Sequence, residues 1–214
     1  MSNIVLEQTD RTRIHRLPER GAYDRDTIHA ILDEALICHA GFVVEGRPVV
    51  IPTIHTRVDD YLYFHGSPAS GLLRTLRGGV EACVTVTILD GLVLARSAFH
   101  HSMNYRSVVV FGKAEEVVDR EEKLRVLTAL VEHVCRGRSG DARRPNEKEF
   151  KQTLVLKLPI AEASAKIRTG PPKDDAEDYA LPIWAGVLPL VLTPLEPIAD
   201  NTTVVPDYVS HYRR

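Results

Sequence analysis

The densest group of chemically useful residues in this chain is Ser67, Ser70, Gly71 and Leu72, directly after a strand-like run ending Phe64-His65-Gly66. Two hydroxyls, and the free N–H groups where a helix opens at residue 70, form a cradle of donors for one phosphate or a similar oxyanion. Arg74 and Arg77 follow one and two turns on and add positive charge. A second set lies in N-Y-R-S-V-V-V-F-G-K-A, residues 104–114. There Arg106 has the planar fork that suits oxyanions, and its strand-surface alternative is an ion pair with Glu115 or Glu116. Trp184, the single tryptophan, offers a broad ring face and one N–H donor. His100-His101 does not read as a metal pair. Adjacent strand residues face opposite ways, and no Cys, Asp or Glu stands at ligand spacing. No metal site is therefore expected. Nucleophile-elbow, phosphate-loop lysine and dinucleotide glycine motifs are all missing.

Short strands must position these groups. Asp24 or Asp26 can cap a first helix, whose apolar positions Ile28, Ile31, Leu32, Ala35 and Leu36 keep helical spacing. The period then changes. Residues 42–44 and 49–56 are β-branched and apolar, and Glu45-Gly46-Arg47 between them has hairpin-turn chemistry. Pro52 cannot donate to a ladder, so the second run belongs at an edge or a bulge, where a ligand can approach. A turn at 58–60 leads into a strand at 61–65, and a short helix is expected at 70–78. Residues 82–89 alternate cleanly, and Asp90-Gly91 reads as a tight turn into 92–95. Residues 105–118 form a bent strand with Gly112 at the bend. An amphipathic helix follows at 120–136, with Leu124, Leu127, Val131 and Val134 on one face. A basic loop covers 137–145, and 153–158 reads as the last strand. Pro182, Pro189, Pro194, Pro197 and Pro206 forbid long elements in the C-terminal part.

The order of these elements, with one short helix interrupting a meander of strands, resembles the flavin-binding split barrel of the pyridoxamine 5′-phosphate oxidase-like proteins over residues 23–190. The resemblance implies a mainly β fold, an antiparallel split β-barrel with flanking helices. It also implies flavin mononucleotide (FMN) as cofactor, in sites at the interface of a homodimer. In its terms Ile51, Pro52, Thr53 and His55 line the isoalloxazine edge, and Phe64 and His65 match a Tyr-Thr pair near the phosphate and ribityl chain. Gly66, Ser67, Ser70, Gly71 and Leu72 form the phosphate side. Arg106 and Ser107 fall where the family has an Arg-Gln pair, and Trp184 matches a tryptophan supplied by the neighbouring subunit. The family's oxidases carry a basic pair where Ser70-Gly71 stand here. Phosphate binding thus shifts to backbone, hydroxyls and another arginine, and vitamin B6 oxidation is not expected.

Bulk properties agree with a single domain, residues 1–214, with 191–214 as a tail. Net charge is −2, which gives no footprint for nucleic acid or an anionic membrane. No apolar run reaches bilayer length, and the N-terminal stretch lacks a signal-peptide core. Cys38, Cys83 and Cys135 are odd in number and far apart, which suits reduced thiols and a cytoplasmic location. The expected activity is that of an oxidoreductase moving hydride between flavin N5 and a small-molecule substrate. One alternative is a flavin-storing or sensing protein. The other is a barrel that binds haem or a deazaflavin through His65, His100 or His101.

Overall fold

A computed structural model of the chain describes residues 4–200 and 204–213. A 3₁₀ turn at Pro18–Arg20 leads into the two-residue strand β1 (Gly21–Ala22) and helix α1 (Arg25–Glu34). Asp24 caps that helix through the Thr27 N–H, and Ile28, Ile31 and Leu32 form its buried face. The helix stops two residues short of the expected Leu36. The chain turns extended at Ala35 and runs as β2 (Ile37–Val44), which pairs along its full length with β3 (Arg47–Ile54). Glu45 and Gly46 both take positive φ, 50° and 73°, the backbone of a two-residue hairpin whose twist matches its strands.

The next hairpin joins β4 (Thr56–Val58) to β5 (Tyr61–Gly66), and helix α2 (Gly71–Arg77) follows between Ser70 and Gly78 as caps. Strand β6 (Glu81–Leu94) then runs without a break through Asp90-Gly91, where the sequence suggested a turn. Asp90 is instead an extra residue in a β-bulge opposite β7 (Ser102–Lys113). The chain crosses to the other sheet after Ala114, as β8 (Glu115–Glu116), so the expected bend lies just beyond Gly112.

Helix α3 (Arg120–Val134), capped by Asp119, precedes two short helices, α4 (Arg138–Asp141) and α5 (Glu147–Lys151). Three further strands follow: β9 (Leu154–Pro159), β10 (Glu162–Arg168) and β11 (Gly186–Pro189). The expected last strand is therefore followed by two more. A 3₁₀ turn at Ala176–Ala180 and helix α6 (Asp207–Ser210) are the remaining elements of the proline-broken end.

Seven strands form one antiparallel sheet in the order β1-β10-β7-β6-β2-β3, with β11 alongside the second half of β6. The other sheet has the order β4-β5-β9-β8. Neither closes on itself, so the barrel is split. Its core gathers Val84, Val86, Val108 and Val110 from the first sheet and Leu62, Phe64, Leu156 and Leu158 from the second. Helices α1 and α2 add Ile28, Leu32, Leu73 and Leu76 to the same core. Among the described residues no helix is long and apolar enough to cross a membrane.

Candidate functional site

The expected phosphate cradle sits where β5 gives way to α2. Ser70 N–H donates to the Ser67 carbonyl at 2.9 Å, and Ser70 Oγ accepts from Leu73 N–H at 3.5 Å. The loop is thus drawn tight, with Ser67 exposed at its tip. Gly71 and Leu72 open the helix, where N–H groups have no intrahelical acceptor. A Cβ at Gly71 would meet nothing within 4 Å, so the backbone there is open to a visitor. Leu72 itself is buried at 7% exposure, so only its N–H is on offer. Arg74, one turn on, is exposed, and helical side chains lean back toward the N-terminus.

The edge position expected of Pro52 follows from topology: β3 is the outermost strand of its sheet, with Pro52 opposite His39. Ile51 and Thr53 are half-buried beside it. The other expected positions are engaged within the chain. His55 is fully buried, with Nε2 2.9 Å from the Leu32 carbonyl and its ring 5.0 Å from that of His133. Phe64 is 1% exposed in the main core. Arg106 forks onto the carboxylates of both Glu34 and Asp90, not Glu115 or Glu116. Ser107 Oγ donates to the Lys166 carbonyl at 3.2 Å. Trp184 is 68% exposed and its ring lies over Gly186, where an added Cβ would meet it at 2.9 Å. His100 faces Asp175 and His101 the Ser97 carbonyl. Among the described residues no cluster of His, Cys, Asp and Glu could hold a metal ion.

His65 is placed differently. Its ring lines a cleft of about 500 Å³ between α3 and the 137–145 segment, with Leu124, Leu127, Leu130 and Val131 as the apolar wall. Cofactor pockets commonly measure about 300–1,000 Å³. His65 Nδ1 is buried without a hydrogen-bond partner. Arg143 and Arg144 border the same cleft. Arg143 grips Glu149 through two bonds of 3.0 and 2.7 Å. That guanidinium, with the Asn146 N–H, holds the Glu149 carboxyl down to about 2. The Arg144 side chain makes no hydrogen bond or ion pair with another described residue, so one cation is left for a ligand.

This cleft was not expected from the sequence, although α3 carried its signal. Of the apolar residues on α3, Val126 and Leu130 are the buried ones, while Leu124, Leu127 and Val131 of the expected apolar face line the cleft beside Leu130. An apolar surface wider than the core requires, beside a basic loop, is a readable sign of a ligand cleft.

Burial holds the His65 imidazole below its ordinary value near 6.5, and burial, then Arg57, does the same to His29. The unfolded chain takes up a proton near 6.5 that the folded chain refuses. Stability is therefore full above about pH 6.5 and falls as pH drops below it. Urea midpoints at pH 7.5 and 5.5 should differ in the native chain and differ less in His65→Gln. Equal losses in both proteins would contradict this assignment.

An open split barrel of two antiparallel sheets, with one short helix set between its strands, defines a class. The chain belongs to the pyridoxamine 5′-phosphate oxidase family, whose model matches residues 24–167. Among solved structures it is similar to the flavocytochrome Anf3 from Azotobacter vinelandii. Identity is 41% and the TM-score 0.88, over 96% of this chain and 97% of that one. It is also similar to the FAD- and haem-binding protein from Mycobacterium smegmatis. There identity is 37% and the TM-score 0.81, over 89% and 96% of the two chains. A putative 5-nitroimidazole antibiotic resistance protein from Bacteroides thetaiotaomicron is 26% identical with a TM-score of 0.58, covering 69% of this chain and 86% of its own. No curated protein matches the chain by sequence.

Proposed function

We propose that the protein is a homodimeric flavin- and haem-binding redox protein. The observation that carries this reading is His65, a half-buried imidazole lining an apolar, arginine-bordered cleft, whose Nδ1 has no hydrogen-bond partner. That donor set fits haem: one neutral nitrogen ligand, aliphatic cover for a macrocycle, and guanidinium for carboxylates. Two relatives above 35% identity, a flavocytochrome and an FAD- and haem-binding protein, support it.

The flavin reading rests on the tight 67–72 loop, the open N–H groups at Gly71 and Leu72, and the free edge of β3. FAD contains the FMN moiety, so one cradle serves either. The ligand of the 37% identical relative favours FAD over the FMN expected from the sequence. A flavin supplies hydride exchange at N5, and haem supplies single-electron exchange. The chain's own residues bind, orient and exclude water. Apolar side chains of α3 would cover the face of a bound macrocycle, and burial disfavours protonation of His65. Trp184 and the exposed apolar residues Leu181 and Ile183 beside it suit burial against a second copy. The physiological partner is then a small molecule oxidised or reduced at the flavin.

Purification with haem and flavin precursors supplied is the direct test. A Soret band and a two-band flavin spectrum are expected on one dimer in sedimentation, with FAD released on denaturation and identified by mass. Flavin without any Soret band would reduce the reading to a simple flavoprotein. Neither chromophore would overturn it.

A further inference from the structure

We propose that Tyr208 is a positioning residue of the His65 cleft, and that the C-terminal helix α6 fastens the cleft's basic wall. The ligand named for the cleft rests on the reading above; the fastening does not. The wall is the 137–145 segment. At its start, Glu132 accepts from the N–H groups of Gly137 at 2.7 Å and Ser139 at 2.9 Å. At its far end Arg143 holds Glu149. Between these anchors lies α4, four residues long, and so short a helix has little stability of its own. Ser139, Ala142, Arg143 and Arg144 of this stretch line the cleft.

Tyr208 spans α4 from outside. Its hydroxyl donates to Asp141 Oδ2 at 2.7 Å and accepts from Arg138 Nη1 at 3.0 Å, so one group ties the helix's first residue to its last. The ring lies against Gly137, which has φ +90°. A Cβ built there would sit 3.3 Å from Tyr208 Cβ and Cγ. Glycine thus permits both the left-handed backbone and the close ring.

The approach to α6 holds nothing in place. Val191, Leu192, Leu195 and Ile198 are 84–99% exposed. Among the described residues beyond Leu190, Tyr208 alone makes hydrogen bonds to the rest of the chain. The hydrogen bonds of these residues to the rest of the chain are thus all made by Tyr208, and all to the cleft wall. Residues 204–213 also lie outside the stretch matched by the family model, which ends at 167.

The test uses full-length protein, with and without hemin. Tyr208→Phe keeps the ring and removes both hydrogen bonds to charged groups, worth about a 10-fold change or more. Amide exchange across residues 138–142 of the hemin-free protein should then quicken about 10-fold. Hemin release to an excess of a tight-binding acceptor should quicken by a similar factor, with the Soret maximum unmoved because His65 is intact. Gly137→Ala should give the same pair of changes by displacing the ring, and Tyr212→Phe should give neither. Unchanged amide exchange in Tyr208→Phe overturns the fastening. Faster exchange with unchanged hemin release overturns the positioning role. If hemin never binds, the ligand reading fails, while amide exchange still decides the fastening.

Discussion

His65→Ala should yield a folded protein that no longer holds haem. The side chain is only half-buried and contributes no hydrogen bond through Nδ1, so its loss leaves the barrel's core untouched. The same change removes the one imidazole among the residues that line the cleft. Disturbing merely the outer partners of a metal ligand costs about 10–100-fold in affinity, so loss of the ligand itself should exceed that range. Hemin titration read at the Soret band gives the number, and circular dichroism shows the fold is kept. His100→Ala and His101→Ala serve as comparisons. Their rings are occupied by Asp175 and the Ser97 carbonyl, away from the cleft, and their titrations should match the native chain. Full hemin affinity in His65→Ala would remove the cleft from consideration as the haem site.

Phe64→Ala should fail in the opposite way, through stability. Phe64 precedes His65, and successive strand residues face opposite sides, so its ring points into the main core at 1% exposure. Truncating a buried phenylalanine costs about 3–5 kcal/mol. For a chain of this size that lowers Tm by on the order of 10 °C. Ser67→Ala, at the exposed tip of the neighbouring loop, should leave Tm nearly unchanged and weaken flavin binding instead. A Phe64→Ala protein that melts like the native chain and loses only flavin would place the ring at the cofactor. Scanning calorimetry of the two variants, each with a flavin titration, separates these cases.

The contrast between neighbours shows what could be read from residue order. Local chemistry was legible. Glu45-Gly46 announced a hairpin because Gly46 takes the positive φ that a two-residue turn needs at no steric cost. Ser70 announced a helix start because its hydroxyl can cap it. Asp90-Gly91 offers the same turn chemistry, yet tertiary pairing decides otherwise. β7 and β11 flank β6 through the site, Arg106 grips the Asp90 carboxylate, and a Cβ at Gly91 would approach the Leu188 carbonyl to 3.0 Å. β10 escaped notice because three of its four buried positions are small, Ala163, Ser164 and Ala165, which carry little strand preference of their own, and the fourth is Arg168. It is a strand because β7 and β1 pair with it. His65 was singled out from its place before the loop. Its cleft was not, because the opposing wall comes from α3 and the 137–145 segment, distant in the chain.

The pairing of β5 with β9 bears on how the protein is made. Gly66 meets Leu154, and Tyr61 meets Pro159, so one side of β5 has no ladder until the ribosome has added the intervening chain. At roughly 5–20 residues per second that delay is on the order of ten seconds. Throughout it, Leu62 and Phe64 on the nascent chain lack the neighbours Leu156 and Leu158 that later cover them. An apolar strand with an open edge invites other strands. A release or pause before residue 154 therefore yields a sticky fragment, and the cell's holding chaperones have their natural moment of engagement in that interval.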